Sequence, residues 1–248
     1  MQVPSELGRF RSCTPRFLTP DHRCGIIAGM VSKLALLLLH LLGWELIGQR
    51  PTAKKYVMVG APHTSNWDFL YFYLGALAFN IRISFMIKDS VFRGPLGPIL
   101  RWMGGIPIDR SQRNHLVEQM VRAFEKREEL ALLIPPSGTR KRTDYWKSGF
   151  YYIALGAKVP LVLAIMDFEK REVGIKRIYK PTGDIKKDMN VLRSVYEPVA
   201  AKFPQEKSRV RLRQEEEPPA APVIADAAPE KSGEARGGVR EKQLMGSE

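Results

Sequence analysis

Short apolar runs alternate with amphipathic stretches along most of the chain, and this alternation predicts its secondary structure. Runs such as VPLVLAIM are too short for a helix and are bounded by turn residues, which is typical of buried strands. The predicted strands are 56–60, 83–87, 105–108, 130–134, 159–166 and 172–179. The predicted helices are 67–79, a short helix within 92–103, 114–129, 147–156 and 187–202. Strands that alternate with helices predict an α/β fold with a mainly parallel sheet flanked by helices, which here occupies residues 49–204.

The N-terminal region has a different pattern: a basic arm at 1–24 precedes an apolar stretch at 25–48. Three polar residues interrupt the stretch: Lys33, His40 and Glu45. Its cleanest apolar run, 34–39, is far shorter than the roughly 20 apolar residues that a membrane-spanning helix needs. A leucine-rich helix preceded by arginines is typical of a membrane interface. We therefore predict a membrane-associating helix at 25–48, with a core helix or a single signal anchor as the alternatives.

Charge and composition limit the class of protein and the kinds of partner. The 248 residues carry a formal net charge of +13, yet 205–248 contain eight Lys or Arg and nine Asp or Glu, so the excess lies before them. This C-terminal stretch has few large apolar residues and is predicted to be disordered. Both cysteines, Cys13 and Cys24, lie in the arm, which excludes a disulfide scaffold. The basic excess leaves nucleic acid, an anionic membrane surface or a phosphorylated small molecule as partners.

The loop after the first strand of 49–204 contains a histidine and a carboxylate. His63 follows Pro62, and Asp68 lies in the first turn of the next predicted helix. A bend between them lets the carboxylate reach the imidazole. A carboxylate beside one ring nitrogen fixes the tautomer, so that the other nitrogen can act as a general base. The H-x4-D pattern alone is weak, and a histidine that only satisfies a loop hydrogen bond is the alternative.

Two further loops place glycine beside basic residues after predicted strands. One begins at Lys88 and runs on to Arg110, and the other contains the sequence PSGTR at 136–140. Such loops let backbone N–H groups and cationic side chains approach a phosphate closely. Neither loop matches the G-x4-G-K-[ST] phosphate loop, and for each a solvated turn is the alternative.

The order of these motifs resembles the glycerolipid acyltransferase family, and specifically the 1-acyl-sn-glycerol-3-phosphate acyltransferases. H-x4-D is followed by G-x-P-I-D-R, then G-T-R and V-P-L-V, over about residues 55–170. The resemblance implies that His63 is the base and Asp68 its partner. It also implies that the acceptor phosphate is bound by the other two motifs, through Lys88, Arg110, Gly138, Thr139 and Arg140.

The resemblance further implies a reaction and its partners. An acyl group would pass from acyl-CoA or acyl-carrier protein to the free hydroxyl of a lysophospholipid, with 1-acyl-sn-glycerol-3-phosphate giving phosphatidic acid. No metal and no cofactor beyond this co-substrate is expected. The enzyme would be associated with an anionic membrane surface on the cytoplasmic face of a bacterial inner membrane.

One residue departs from the family pattern, which has glutamate where this chain has Ser137. Serine cannot replace the charge, so acylation of another lyso-lipid and a catalytically weakened lipid-binding relative remain alternatives. A basic nucleic-acid-binding protein is a minor third alternative, because aromatic residues lie near Lys141 and Arg142. It leaves the apolar stretch and the motif series unexplained, so no nucleic-acid partner is expected. A serine hydrolase is excluded by the lack of G-x-S-x-G.

Overall fold

The computed structural model describes residues 22–108 and 115–216, which contain one seven-stranded sheet. The strands are β1 Glu45–Ile47, β2 Lys55–Ala61, β3 Ile83–Lys88, β4 Gly105–Ile108, β5 Leu130–Ile134, β6 Leu161–Asp167 and β7 Glu172–Tyr179. The helices are α1 His22–Leu41, α2 Trp67–Ala78, α3 Gly97–Trp102, α4 Leu116–Lys126, α5 Gly149–Gly156 and α6 Ile185–Tyr196. The predicted α/β class is confirmed.

The strand order is β1-β7-β6-β2-β5-β3-β4. The five strands from β6 to β4 are mutually parallel, whereas β7 pairs antiparallel with β6 and β1 follows the direction of β7. The sheet is therefore mostly parallel, and β2 lies at its centre between β5 and β6. This order brings the loops after β2, β5 and β3 to one edge, where parallel α/β folds bind their ligands.

Helices cover the sheet on both faces because β2 is apolar on both sides. Val57 and Val59 point into a core formed with α4, α5 and α6, while Tyr56 and Met58 point into a second core formed with α1 and α2. Successive side chains of a strand alternate between faces, so a strand that is buried on both sides reads as a continuous apolar run.

The prediction of one helix over 25–48 is wrong at its C-terminal end. Helix α1 ends at Leu41, and Gly43 takes a φ of +73°. The Gly43 and Trp44 N–H groups donate to the carbonyls of His40 and Leu39, which is the Schellman arrangement that stops a helix. The next residues form β1, at the edge of the sheet. None of the described helices has the length and apolar character needed to cross a membrane.

The predicted disorder from residue 205 onward is wrong for 205–216. Val210 is buried and Leu212 is fully buried in the core beside α4, α5 and α6. The segment also pairs with Trp146 through a bridge at Leu212. The remainder of the predicted tail and most of the N-terminal arm lie outside the described residues.

Candidate active site

The residues singled out by sequence follow neighbouring parallel strands. His63 follows β2, Ser137 follows β5, and Lys88 is the last residue of β3. Because β2, β5 and β3 are adjacent and parallel, their carboxyl ends lie at one edge of the sheet. The sheet therefore brings together the three loops that were predicted from sequence to contain the catalytic pair and the phosphate-binding residues.

His63 and Asp68 contact each other as the H-x4-D spacing predicted. The His63 Nδ1 and Asp68 Oδ2 atoms are 3.2 Å apart, and the imidazole is 21% exposed. Asp68 is fully buried in the first turn of α2. With Nδ1 held by the carboxylate, Nε2 is the nitrogen left to exchange a proton with a substrate.

Asp68 also bends the loop in which His63 lies. Its Oδ2 accepts hydrogen bonds from the backbone N–H groups of Thr64 at 2.5 Å and Ser65 at 2.8 Å. Its Oδ1 accepts from the Ser65 hydroxyl at 2.6 Å. Burial alone would raise the pKa of Asp68, but the hydrogen bonds from His63, Ser65 and Thr64 outweigh burial and lower it. The carboxylate therefore stays ionised and holds both the loop and the imidazole in place.

Asn66 directly precedes α2, and its side chain does not cap the helix. The Asn66 Oδ1 accepts a hydrogen bond from Arg140 Nη1 instead. This bond joins the loop after β2 to the loop after β5, so the first and third motifs are held together.

The loop after β5 is a tight turn around Gly138, which has a φ of +64°. The buried Ser137 hydroxyl donates to the carbonyl of Thr139 at 2.7 Å. A Cβ built at Gly138 would lie 2.9 Å from the Cδ, Cε and Nζ atoms of Lys147. Glycine therefore allows the lysine side chain to lie against the turn, and Lys147 is a further cation that the sequence did not indicate as part of the site.

The predicted phosphate-binding residues are only partly brought together. Gly138, Thr139 and Arg140 lie in one turn, and Arg140 is exposed. Lys88 is also exposed and lies at the end of β3, next to β5. Arg110 lies outside the described residues. The phosphate-binding roles of these residues stay predictions.

A small pocket beside His63 includes residues that the sequence analysis placed in a disordered tail. Its lining combines the loops after β2 and β5 with the C-terminal segment: Ala61, Pro62, His63, Pro136, Ser137, Trp146, Tyr196, Lys207, Ser208 and Val210. The alternation of Val210 and Leu212 with arginines was the one signal that this segment packs on the domain.

Comparison with known proteins gives one family and one fold. Residues 45–166 match the family model described as Acyltransferase. The chain is similar to the crystal structure of the 1-acyl-sn-glycerophosphate (LPA) acyltransferase PlsC from Thermotoga maritima. The TM-score is 0.51 at 14% identity, over 75% of this chain and 86% of that chain. No curated protein matches the sequence.

The family match begins with β1 and ends in β6, so it covers His63, Asp68, Lys88 and the turn at 136–140. The similarity to the solved structure concerns the arrangement of the sheet and helices. The segment that brings Lys207 to the pocket lies after the matched residues.

Proposed function

Since the chain belongs to the acyltransferase family through residues 45–166, we propose that it acylates the free hydroxyl of a lysophospholipid. The acceptor is 1-acyl-sn-glycerol-3-phosphate, the product is phosphatidic acid, and acyl-CoA or acyl-carrier protein is the donor. No other cofactor takes part. The observation that carries this proposal is the contact between His63 and the fully buried, ionised Asp68.

The chemistry follows from this pair. His63 Nε2 takes the proton of the acceptor hydroxyl as its oxygen attacks the thioester carbonyl, and the resulting tetrahedral intermediate expels the thiolate. The thiolate then receives the proton from His63, so that a free thiol and an ester are formed. Asp68 keeps the imidazole in the tautomer and orientation that this proton transfer requires.

Binding of the acceptor depends on the cations around the base. Arg140 and Lys88 lie at the same sheet edge as His63, and Lys147 lies against Gly138. An anionic headgroup held by these side chains would place the neighbouring hydroxyl against the imidazole. Arg110 completes the set by the resemblance of its motif.

The acceptor and the donor chain are lipids, and α1 supports delivery from a membrane. Its exposed leucines suit insertion into the interface of an anionic bilayer rather than contact with water. The enzyme would therefore act at a membrane surface, on the cytoplasmic face of a bacterial inner membrane.

One assay tests the proposed reaction. The protein is incubated with acyl-CoA and a panel of lysolipids that includes 1-acyl-sn-glycerol-3-phosphate, and free thiol is followed. We expect thiol release with this acceptor, loss of release in His63→Ala, and full release in His115→Ala, whose histidine lies exposed before α4. Release that the His63 variant retains, or none with any acceptor, would contradict the proposal.

A catalytically silent lipid-binding protein is the second candidate, and Ser137 favours it because the motif lacks the family's carboxylate. This candidate predicts that lysophosphatidate binds but that no thiol is released. A Ser137→Glu variant that gains thiol release over a silent wild-type protein would support it.

A further inference from the structure

The C-terminal segment, residues 203–212, packs against both loops of the candidate site. At its start, the Phe203 N–H donates to Thr64 Oγ1 at 3.3 Å, next to His63. Further along, the Ser208 hydroxyl accepts from the Thr143 N–H at 3.0 Å. The segment is therefore held at the loop after β2 and at the loop after β5, and its side chains complete the wall of the pocket.

Lys207 is the cation that this segment contributes to the pocket. Its Nζ donates to the carbonyls of Glu197 at 2.7 Å and Val199 at 2.6 Å, just after α6. An ammonium has three N–H groups, so these two bonds leave one for another acceptor. Among the described residues, no carboxylate forms an ion pair with Lys207.

The pocket that Lys207 and His63 line has room for an oxygen atom. The space beside His63 holds about one water-sized group. A single carbonyl oxygen fits into that space. Partial burial lowers the pKa of Lys207, against the opposing effect of the Glu197 and Asp167 carboxylates, as expected for an ammonium that has lost hydration.

Lys207 reaches the pocket from a different part of the fold than the predicted phosphate-binding residues. Lys88 ends β3 and Arg140 follows β5, and both strands lie on one side of β2 in the strand order. The Lys207 ammonium is bonded to the residues just after α6. These residues contact the end of β6, because the Phe168 N–H donates to the carbonyl of Ala200. Strand β6 lies on the other side of β2. Lys207 and His63 line the same small pocket, together with Ser137 of the loop after β5.

We propose that Lys207 stabilises the oxyanion that forms when the acceptor oxygen attacks the thioester carbonyl. As the new carbon–oxygen bond forms, the hydroxyl proton passes to His63 and the carbonyl π electrons move to the carbonyl oxygen, which Lys207 binds. When the intermediate collapses, this charge returns to the carbonyl, the carbon–sulfur bond breaks, and the thiolate takes the proton from His63. This inference rests on the proposed acyl transfer.

Ser137 explains why this chain can use a lysine at this place. Ser137 lines the same small pocket as Lys207. The glutamate of the family pattern would bring a carboxylate into that pocket, where it would pair with the ammonium. Serine leaves the positive charge available for the negative charge that develops in the reaction.

The test compares Lys207→Gln and Lys207→Arg with the control Lys186→Gln, a change at an exposed lysine of α6. Glutamine can still donate to the carbonyls of Glu197 and Val199 but has no charge. We expect Lys207→Gln to lower kcat by about 10²–10³-fold, with KM for both substrates and the melting temperature close to wild type. Lys207→Arg should regain at least about tenfold of the lost kcat, because its charge is retained.

Three results would overturn the inference. They are a wild-type kcat in Lys207→Gln, a loss confined to the KM of the acceptor, and a loss that only follows the fraction of unfolded protein. If the wild-type protein releases no thiol with any lysolipid, the proposed function itself fails and the role of Lys207 fails with it. An active wild type with an equally active Lys207→Gln variant removes the oxyanion role alone.

Discussion

At the residue scale, Asp68 has two roles. Its carboxylate holds His63 and also accepts the backbone N–H groups that form the bend before α2. The bend places the imidazole within reach of the carboxylate, although a continuous helix would turn positions five apart by about 140°. The position of the His63 imidazole therefore depends on a single ionised group.

Replacing Asp68 with asparagine should weaken the fold and the activity together. We expect Asp68→Asn to lower the free energy of unfolding by about 2–3 kcal/mol at pH 7, because charge-assisted hydrogen bonds are lost. Acyl transfer should fall by at least about 10²-fold, since the amide no longer orients the imidazole as the carboxylate does. Urea denaturation and thiol release measure the two effects, and Asp144→Asn, at an exposed aspartate, is the control.

The same substitution gives a pH signature. The folded-state pKa of Asp68 is lowered, so its contribution to stability is full above the unfolded-state value of about 3.9 and is lost as pH falls through the folded-state value. The stability difference between wild type and Asp68→Asn should therefore shrink below about pH 4. A difference that stays constant down to pH 3 would show that the ionised carboxylate is not its source.

Gly138 permits a prediction about the turn after β5. Its φ of +64° and the close approach of Lys147 both disfavour a side chain. Gly138→Ala should cost about 1–2 kcal/mol of stability and displace Lys147, with a raised KM for the acceptor. Gly149→Ala is the matched control, because a Cβ there meets nothing within 4 Å in the first turn of α5. Equal stability of the two variants in urea would contradict the strain at Gly138.

At the element scale, sequence predicted six of the seven strands in the described residues and missed β1. The apolar runs of β2, β5 and β6 identify these strands because both sides of each strand contact helices. The three residues of β1 were absorbed into the apolar stretch at 25–48. Gly43 ends α1 and so separates the helix from β1. Apolar periodicity gives no sign of such a helix stop.

The candidate site was predictable where its residues are close in sequence. The spacing of His63 and Asp68 was enough to predict their contact, and the basic loops identified the correct sheet edge. The bond between Asn66 and Arg140 joins residues that are far apart in sequence, and so does the approach of Lys207 to the pocket. Such contacts depend on tertiary packing, which local sequence patterns do not show. In residues 203–212, the many charged residues made the segment look disordered, although Val210 and Leu212 belong to the core.

Leu212 tests whether the C-terminal segment belongs to the domain. Its side chain is fully buried beside Trp146, so Leu212→Ala should lower the free energy of unfolding by about 2–5 kcal/mol. Gln205→Ala, at an exposed position of the same segment, should change it by no more than about 0.5 kcal/mol. A disordered segment would give no change for either variant in urea denaturation, and that result would contradict the packing described above.

At the scale of the whole molecule, α1 and the candidate site are connected through α2. Ser32 of α1 donates to the carbonyl of Ala78 at the end of α2, whereas Trp44, just after α1, packs on Tyr71 near the start of α2 with ring centroids 4.2 Å apart. The two helices are therefore antiparallel, and the C-terminal end of α1 lies toward the loop of His63. A membrane that contacts α1 would approach the end of the molecule where His63 lies.

The exposed face of α1 gives the prediction for membrane binding. Met30, Leu34, Leu37 and Leu41 are 52–71% exposed and follow the 4-3-4 spacing of one helix face, while Ala35 and Leu39 are buried against the domain. Exposed leucines at this spacing form a stripe that can insert into the interface of a bilayer. Lys33 lies beside the stripe, where its ammonium can reach anionic headgroups.

The variant Leu34→Ser/Leu37→Ser/Leu41→Ser should bind vesicles that contain anionic phosphatidylglycerol about 10²-fold more weakly than wild type, because each leucine contributes about 1 kcal/mol of insertion. The control Ile178→Ser removes an apolar side chain of similar exposure from β7 and should leave binding unchanged. Thiol release with a water-soluble short-chain acceptor should stay at the wild-type level in the triple variant, whereas release with vesicle-bound lysophosphatidate should fall with binding. Equal loss with both acceptors would mean that the leucines support the fold of the site rather than its contact with the membrane.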